Sequence, residues 1–385
     1  MTANIYLDHN ATSPLRPQAR SALISACNDT GNPSSVHGAG RQARRTIENA
    51  RDDLARLFGV APAGVIFTSC GTEANALALS GCGRELVLVS AVEHDSVLAS
   101  APNAKIIPVD GQSIADLPAL ESLLAAGGAA AVVSIMAANN ETGAIQPIAE
   151  IAAIAQKHGA LVHCDAVQAA GHMPLDMQEI GIHMMSLSAH KLGGPMGAGA
   201  LLLSDGVDVA AMIRGGGQER SRRAGTENAP AIAGFAAAAL AARESLGDEV
   251  LLETMRDELE RKLRERAPDV AVYGANVPRL GNTSCIGMRG VSNETQVMAF
   301  DLNGIAVSAG AACSSGKVSS SHVLKAMGVG DEEAHCAIRV SLGWTTRPND
   351  IDQFVDAWCG LYDRTRPKQV LGTSPAVGVL RKIGG

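Results

Sequence analysis

No apolar run in this chain approaches the roughly 20 residues that a membrane-spanning helix needs. Met1 to Pro17 also lacks a basic stretch leading into an apolar one. Together these absences predict a cytoplasmic protein that does not engage a membrane. Positive charge is not in excess, because 32 Lys and Arg face 39 Asp and Glu for a net charge of −7. The basic residues are spread along the chain, so a direct role on nucleic acid is not expected. The eight cysteines never form a C-x-x-C pair, which argues against a zinc site and against a secreted disulfide framework. Most of them read as small buried hydrophobes, and no metal is expected. Cys313 is the exception. No internal repeat is present.

What the chain does have is enough length, 385 residues, and enough apolar content, 46%, for about two globular domains. Strand-like apolar runs at 65–68, 86–90, 105–109, 131–135, 161–164, 184–188 and 200–203 alternate with helix-compatible segments at 41–58, 72–80, 115–126 and 148–158. This alternation predicts an α/β fold with a mostly parallel sheet covered on both faces. Ligands then bind beyond the carboxyl ends of the strands, which is where Gly71-Thr72, Glu93-His94, Asn140, Asp165 and Lys191 fall. A helical region from about 231 through 249–266 reads as a connector. Strand patterns at 270–273, 283–287 and 338–342, with helices at 294–303, 322–327 and 351–362, predict a smaller α+β domain. Residues 367–385 have no clear period.

The most informative stretch is Ser186-Leu187-Ser188-Ala189-His190-Lys191-Leu192-Gly193-Gly194-Pro195. It sets one lysine between an apolar strand and a glycine-rich turn, making Lys191 a candidate Schiff-base former. Upstream, the run 160–164 ends in Asp165, with Gln168 three residues on. A carboxylate there suits a protonated pyridinium nitrogen, so Asp165 and Lys191 together fit pyridoxal phosphate chemistry. Taken singly, the two read as a strand-end carboxylate and a surface lysine. The neighbouring motifs reverse that reading.

Those motifs are Tyr6-Leu7-Asp8-His9-Asn10-Ala11-Thr12, Gly31-Asn32-Pro33-Ser34-Ser35-Val36-His37, Phe67-Thr68-Ser69-Cys70-Gly71-Thr72-Glu73-Ala74-Asn75, Asn139-Asn140-Glu141-Thr142-Gly143 and Arg214-Gly215-Gly216-Gly217-Gln218-Glu219-Arg220. With them the chain resembles the NifS/IscS-type cysteine desulfurases, a class-V aminotransferase-like branch of the fold-type I pyridoxal phosphate enzymes. The resemblance runs from Tyr6 to about Thr346. It implies a large cofactor-binding domain, 15–255, with a seven-stranded mostly parallel sheet. It also implies a small domain built from 1–14 and 256–385, bearing a mobile catalytic-cysteine loop at about 308–321.

Residue by residue, the resemblance makes Lys191 the Schiff-base lysine, Asp165 the pyridinium partner and Gln168 the partner of the ring hydroxyl. His94 matches the histidine stacked on the ring. Gly71 and Thr72 open a helix whose free N–H groups and dipole favour a phosphate, and Ser188 and His190 match further phosphate ligands. Thr226, in Arg223-Ala224-Gly225-Thr226-Glu227-Asn228, matches a threonine that reaches the neighbouring subunit's phosphate, which implies a homodimer. Arg339 matches the arginine that takes the substrate carboxylate as a planar fork, and Asn140 assists it.

Cys313 sits in Ser308-Ala309-Gly310-Ala311-Ala312-Cys313-Ser314-Ser315-Gly316, a small-residue segment expected to be mobile. The resemblance makes it the nucleophile that removes sulfur from L-cysteine, leaving L-alanine and a persulfide for an acceptor protein in iron–sulfur cluster or thiolated-nucleoside synthesis. Ser319 and Ser320 stand where the family usually has an acidic residue and a proline, and Trp344-Thr345-Thr346 is a further departure. The C-terminal tail is also unlike the scaffold-docking end of housekeeping members. Selenocysteine lyase and class-V aminotransferase are the competing enzyme readings. A silent scaffold is the non-enzyme one, and it would have no use for Lys191 and Cys313.

Overall fold

The computed structural model describes residues 5–309 and 320–365. Seven strands, Val65–Thr68, Leu86–Ser90, Lys105–Ile107, Ala131–Met136, Leu161–Asp165, Met184–Ser188 and Gly199–Leu203, join in one sheet. From one edge the order is first, seventh, sixth, fifth, fourth, second and third, and only Gly199–Leu203 runs antiparallel to its neighbours. The seven strands expected from the apolar runs are all present. Ala131–Met136 and Met184–Ser188 are buried at every residue, as a sheet covered on both faces requires. Lys105–Ile107 stops short of the expected 109 because Pro108 has no N–H to continue the ladder.

Helices cover the sheet for reasons visible in their spacing. Gly38–Phe58 buries Ala43, Ile47, Ala50, Leu54 and Phe58, a stripe of period three to four, and ends at Gly59 in the left-handed conformation with φ 70°. The helix Pro17–Cys27 falls outside the expected elements, since it buries only Ala19 and Ala26 and carries little amphipathic pattern. It is held by packing on Ala229–Glu244, whose alanines allow close approach.

A second, antiparallel sheet has the order Ser308–Ala309, Ala337–Ser341, Thr283–Gly287, Ala271–Tyr273. Its core holds Leu259, Phe300, Ile338, Phe354 and Trp358 together with Ile5 and Leu7 from the start of the chain. Ile5–Tyr6 pairs in parallel with Ile305–Ala306. From Ile5 the chain therefore runs from the second core across to the first. Among the described residues no helix is long and apolar enough to cross a membrane.

Two buried polar arrangements hold this frame. Glu219, Arg220 and Ser221 have φ of 44°, 58° and 66°, a left-handed run without glycine. Glu219 is clamped there by both guanidinium nitrogens of Arg51 at 2.9 Å and by the Phe67 N–H at 2.9 Å. Inside the sheet, His163 bridges Ser134 Oγ and Ser186 Oγ at 2.9 Å each, and burial pushes its pKa down to about 4. Glu93 accepts from Ser90 Oγ at 2.6 Å and from the Met136 N–H at 2.8 Å, and burial pushes it up to about 8.

Two expectations follow. Glu219→Ala takes the buried two-pronged partner from Arg51 and leaves it only the half-exposed Glu48 carboxylate at 3.2 Å, so it is expected to cost about 3 kcal/mol in urea unfolding; a cost below about 1 kcal/mol would show that the pair does not hold the turn. For Glu93 the fold holds a proton that the unfolded chain releases above its ordinary value of 4.5, so stability falls as pH rises toward 8. Buried neutral His163 has the opposite sign, costing stability as pH falls from 6.5 to about 4. The two effects offset where they overlap, and from about pH 6.5 to 8 the Glu93 effect is no longer opposed by His163. Wild type should lose about 2 kcal/mol across that interval, and Glu93→Gln, which cannot ionise, should not. Chemical unfolding at the two pH values measures the difference.

Candidate active site

Beyond the carboxyl ends of the parallel strands lies a cavity of about 280 Å3. Gly71, Thr72, His94, Asn140, Asp165, Gln168, Ser188, His190 and Lys191 all line it, although they are spread over some 120 positions of the chain. Lys191 ends a short 3-10 turn, Ala189–Lys191, that follows the Met184–Ser188 strand directly. Its Nζ donates to the Ala11 carbonyl at 2.9 Å and to the Asn10 carbonyl. Asp165 closes its strand, 7% exposed, with Oδ1 accepting from the Val167 N–H at 3.0 Å and Oδ2 from Asn75 Nδ2 at 2.7 Å. His94 caps the helix Asp95–Ser100, its Nδ1 accepting from the Ser96 N–H at 3.1 Å. Gln168 Nε2 donates to the Asn10 carbonyl at 3.1 Å.

The wall below Gly71 suits an anion. The helix Gly71–Gly81 starts at Cys70 with no side chain capping it, so Thr72 is not its cap and the first-turn N–H groups face the cavity mouth. Ser188 Oγ on the same wall is buried and has no hydrogen-bond partner among the described residues. Gly71 has no room for a side chain, because a Cβ would lie 2.8 Å from Val167 Cγ2. Burial, then the neighbouring Lys191 charge, pushes His190 down to about 4, leaving a neutral ring that still donates one N–H. Unused donors around a phosphate-sized space, with an amine and a carboxylate further in, fit pyridoxal phosphate.

Two expected residues stand elsewhere. Arg339 is outside the lining, one layer behind it. Its Nη1 donates to the Asn140 carbonyl at 3.0 Å and its Nη2 to Asp8 Oδ1 at 2.9 Å. Thr226 is exposed and does not reach this chain's own cavity. Cys313 and most of its loop lie outside the described residues, as does 366–385. The described residues on either side of the loop are tied close to the site: Ser308 Oγ donates to Asp8 Oδ2 at 2.8 Å, and Ser321 Oγ to Glu141 Oε2 at 2.6 Å. Cys164 and Cys285 are fully buried, and burial raises both thiols, which suits packing rather than chemistry.

A second cleft of about 210 Å3 lies across Lys191, with His9, Arg16, His172, Glu249 and Trp344 among its walls. It lacks both Asp165 and the anion wall. Sequence reasoning missed Asn10, Asn75, Ser96 and Asp8. Asn10 is 2% exposed and bonds to Asn140, Thr283 and Asn282 as well as to the groups above. Asp8, Asn10 and Asn75 lie within motifs that carry the resemblance; Ser96 has no comparable signal.

Comparison with known proteins agrees with this geometry. The aminotransferase class-V family profile matches residues 5–354. A cysteine desulfurase from Cereibacter sphaeroides is 41% identical, covering 96% of this chain and 98% of that protein. Another from Sinorhizobium fredii is 44% identical, covering 91% and 94%. The crystal structure of a NifS-like protein from Rickettsia africae superposes with a TM-score of 0.86 at 39% identity, covering 94% of this chain and 99% of that one. The chain thus belongs to the class-V aminotransferase family, among its cysteine desulfurases.

Proposed function

We propose that this protein, a pyridoxal phosphate-dependent cysteine desulfurase, removes sulfur from L-cysteine at the cavity around Lys191 and carries it as a persulfide on Cys313. The observation that carries the assignment of the site is the meeting of an amine, a carboxylate and an anion wall in one cavity. Gly71, Thr72, Ser188 and His190 would hold the phosphate, with Thr226 serving the site of a second copy. Asp165 would face the ring nitrogen, Gln168 the ring hydroxyl and His94 the ring face. When bound, the cofactor supplies an electron sink that makes the α-proton of an attached amino acid acidic.

The chain's own residues do the rest. Lys191 would hold the cofactor through its Nζ and, once freed, would move the α-proton of the bound amino acid. Arg339, which here spends Nη1 on the Asn140 carbonyl and Nη2 on Asp8, would turn its fork to the substrate carboxylate, with Asn140 alongside. The Cys313 thiolate attacks the substrate sulfur: an S–S bond forms, the C–S bond breaks, and the carbon takes a proton and leaves as L-alanine. The anchoring of Ser308 to Asp8 and of Ser321 to Glu141 supports this, since both ends of the cysteine segment start beside the substrate's carboxylate site. A selenocysteine lyase or aminotransferase would share the cradle, and Cys313 favours sulfur transfer.

The same reading divides the chain into 15–255 and a small domain of 1–14 with 256–385, supported by Ile5 and Leu7 sharing a core with Phe354 and Trp358. It makes the working unit a homodimer in the cytoplasm. Exposed Met212 and Ile213 support the dimer, since the Ile213 carbonyl accepts from the Ala224 N–H two residues before Thr226. An acceptor protein takes the sulfur onward for iron–sulfur cluster or other sulfur-containing cofactor synthesis.

Lys191→Ala is expected to lose the yellow cofactor absorbance of the purified protein. Cys313→Ala should keep that colour and make no alanine from cysteine; full turnover by it would overturn the assignment. Mass spectrometry after brief exposure to cysteine should find one added sulfur on Cys313. Arg339→Lys keeps the charge and loses the fork, so KM for cysteine should rise about 10- to 100-fold with a smaller change in kcat.

A further inference from the structure

Asn75 lies within the motif 67–75 but is given no role by the reading above. It is 1% exposed, on the Gly71–Gly81 helix, and its Nδ2 donates to Asp165 Oδ2 at 2.7 Å and to Ser96 Oγ at 2.9 Å. Chemistry decides which end of the amide points there, because a carboxylate only accepts and must meet the NH2 end. Both amide hydrogens are thereby committed. Ser96 Oγ, already accepting from Asn75, turns its own hydrogen to His94 Nδ1 at 2.8 Å, where the Ser96 N–H also donates. Nδ1 is an acceptor in this arrangement, so the neutral ring carries its proton on Nε2. Asn75 Oδ1 is buried without a partner among the described residues, a cost accepted with the donor end turned inward.

We propose that Asn75 is a positioning residue for the cofactor site: one buried amide sets the Asp165 rotamer and, by making the Ser96 hydroxyl a donor to Nδ1, holds in place the His94 ring whose tautomer the Ser96 N–H already selects. The inference rests on Asp165 and His94 flanking pyridoxal phosphate. What the site needs from position 75 is a donor, not merely a side chain of that volume. Asn75→Ala removes the donor. Asn75→Asp keeps the shape and sets an acceptor against an acceptor.

The test is the dissociation constant for pyridoxal phosphate, obtained by absorbance titration of protein stripped of cofactor. Asn75→Ala should bind about 10-fold more weakly than wild type and Asn75→Asp about 100-fold more weakly. A packing role predicts the reverse order, with the isosteric Asp variant closer to wild type, and that order would overturn the proposal. Should the Asn75 variants fail to fold in thermal melts, Ser96→Ala decides. It spares the Asn75 to Asp165 bond and cuts the hydroxyl link to His94, so it should retain cofactor while kcat falls about 10-fold; an unchanged kcat would overturn the relay. If wild type takes up no pyridoxal phosphate, the site assignment and this inference fall together. If wild type binds it and Asn75→Asp binds equally well, only the inference falls.

Discussion

The carbonyl oxygens of Asn10 and Ala11 hold the Lys191 ammonium, and the rest of the site is arranged around the segment that supplies them. That segment is tied to the Ile305–Ala306 strand through Leu7 N to Ala306 O at 2.9 Å and to the second sheet through Ser341 N to Leu7 O at 2.8 Å and Asn10 N to Ser341 Oγ at 3.0 Å. It then joins the first unit through Ser13 N to His190 O and Arg16 N to Gly193 O, both 2.8 Å. Backbone groups buried between two cores must find partners, and here each core supplies them for the same few residues. The reactive amine is therefore registered against Asn140, Gln168 and Thr283 by one strand-like crossing.

Polar groups around the cavity are arranged to keep their hydrogens in chosen places. Asp165 receives donors on both oxygens, which orients it. His163, two residues back on the same strand, is neutral and wedged between two serines, and Glu93 next to His94 keeps its proton through burial. Both are groups whose charged forms would be costly so far from water. The anion wall works differently, through donors that the protein itself leaves unused: the first turn of an uncapped helix and the Ser188 hydroxyl.

Much of this was legible beforehand because strands buried on both faces have a strong signature. Continuous apolar runs located all seven strands, and the rule that ligands gather at strand ends placed Gly71, His94, Asn140, Asp165 and Lys191 in one cavity. The short elements were not legible. Pro17–Cys27 buries too little to show a stripe, and Ile5–Tyr6 is a two-residue strand whose pairing with Ile305–Ala306 spans 300 positions. Arg339, expected at the substrate carboxylate, bonds to the Asn140 carbonyl and to Asp8, partners 199 and 331 positions away that no local pattern could supply.

By itself, the order of residues determined which chemical groups are available and at which strand ends they stand, because strand and helix periods act over a few neighbours. Through the motifs around them it also singled out Cys313 and Lys191 as candidates for the reactive pair. Only the tertiary structure decided that Asn10 would hold the lysine, that Asn75 would join Asp165 to Ser96, and that the N-terminal strand would complete the second core. Those contacts bridge positions tens to hundreds of residues apart, and their energy exists only once both buried surfaces have closed over them.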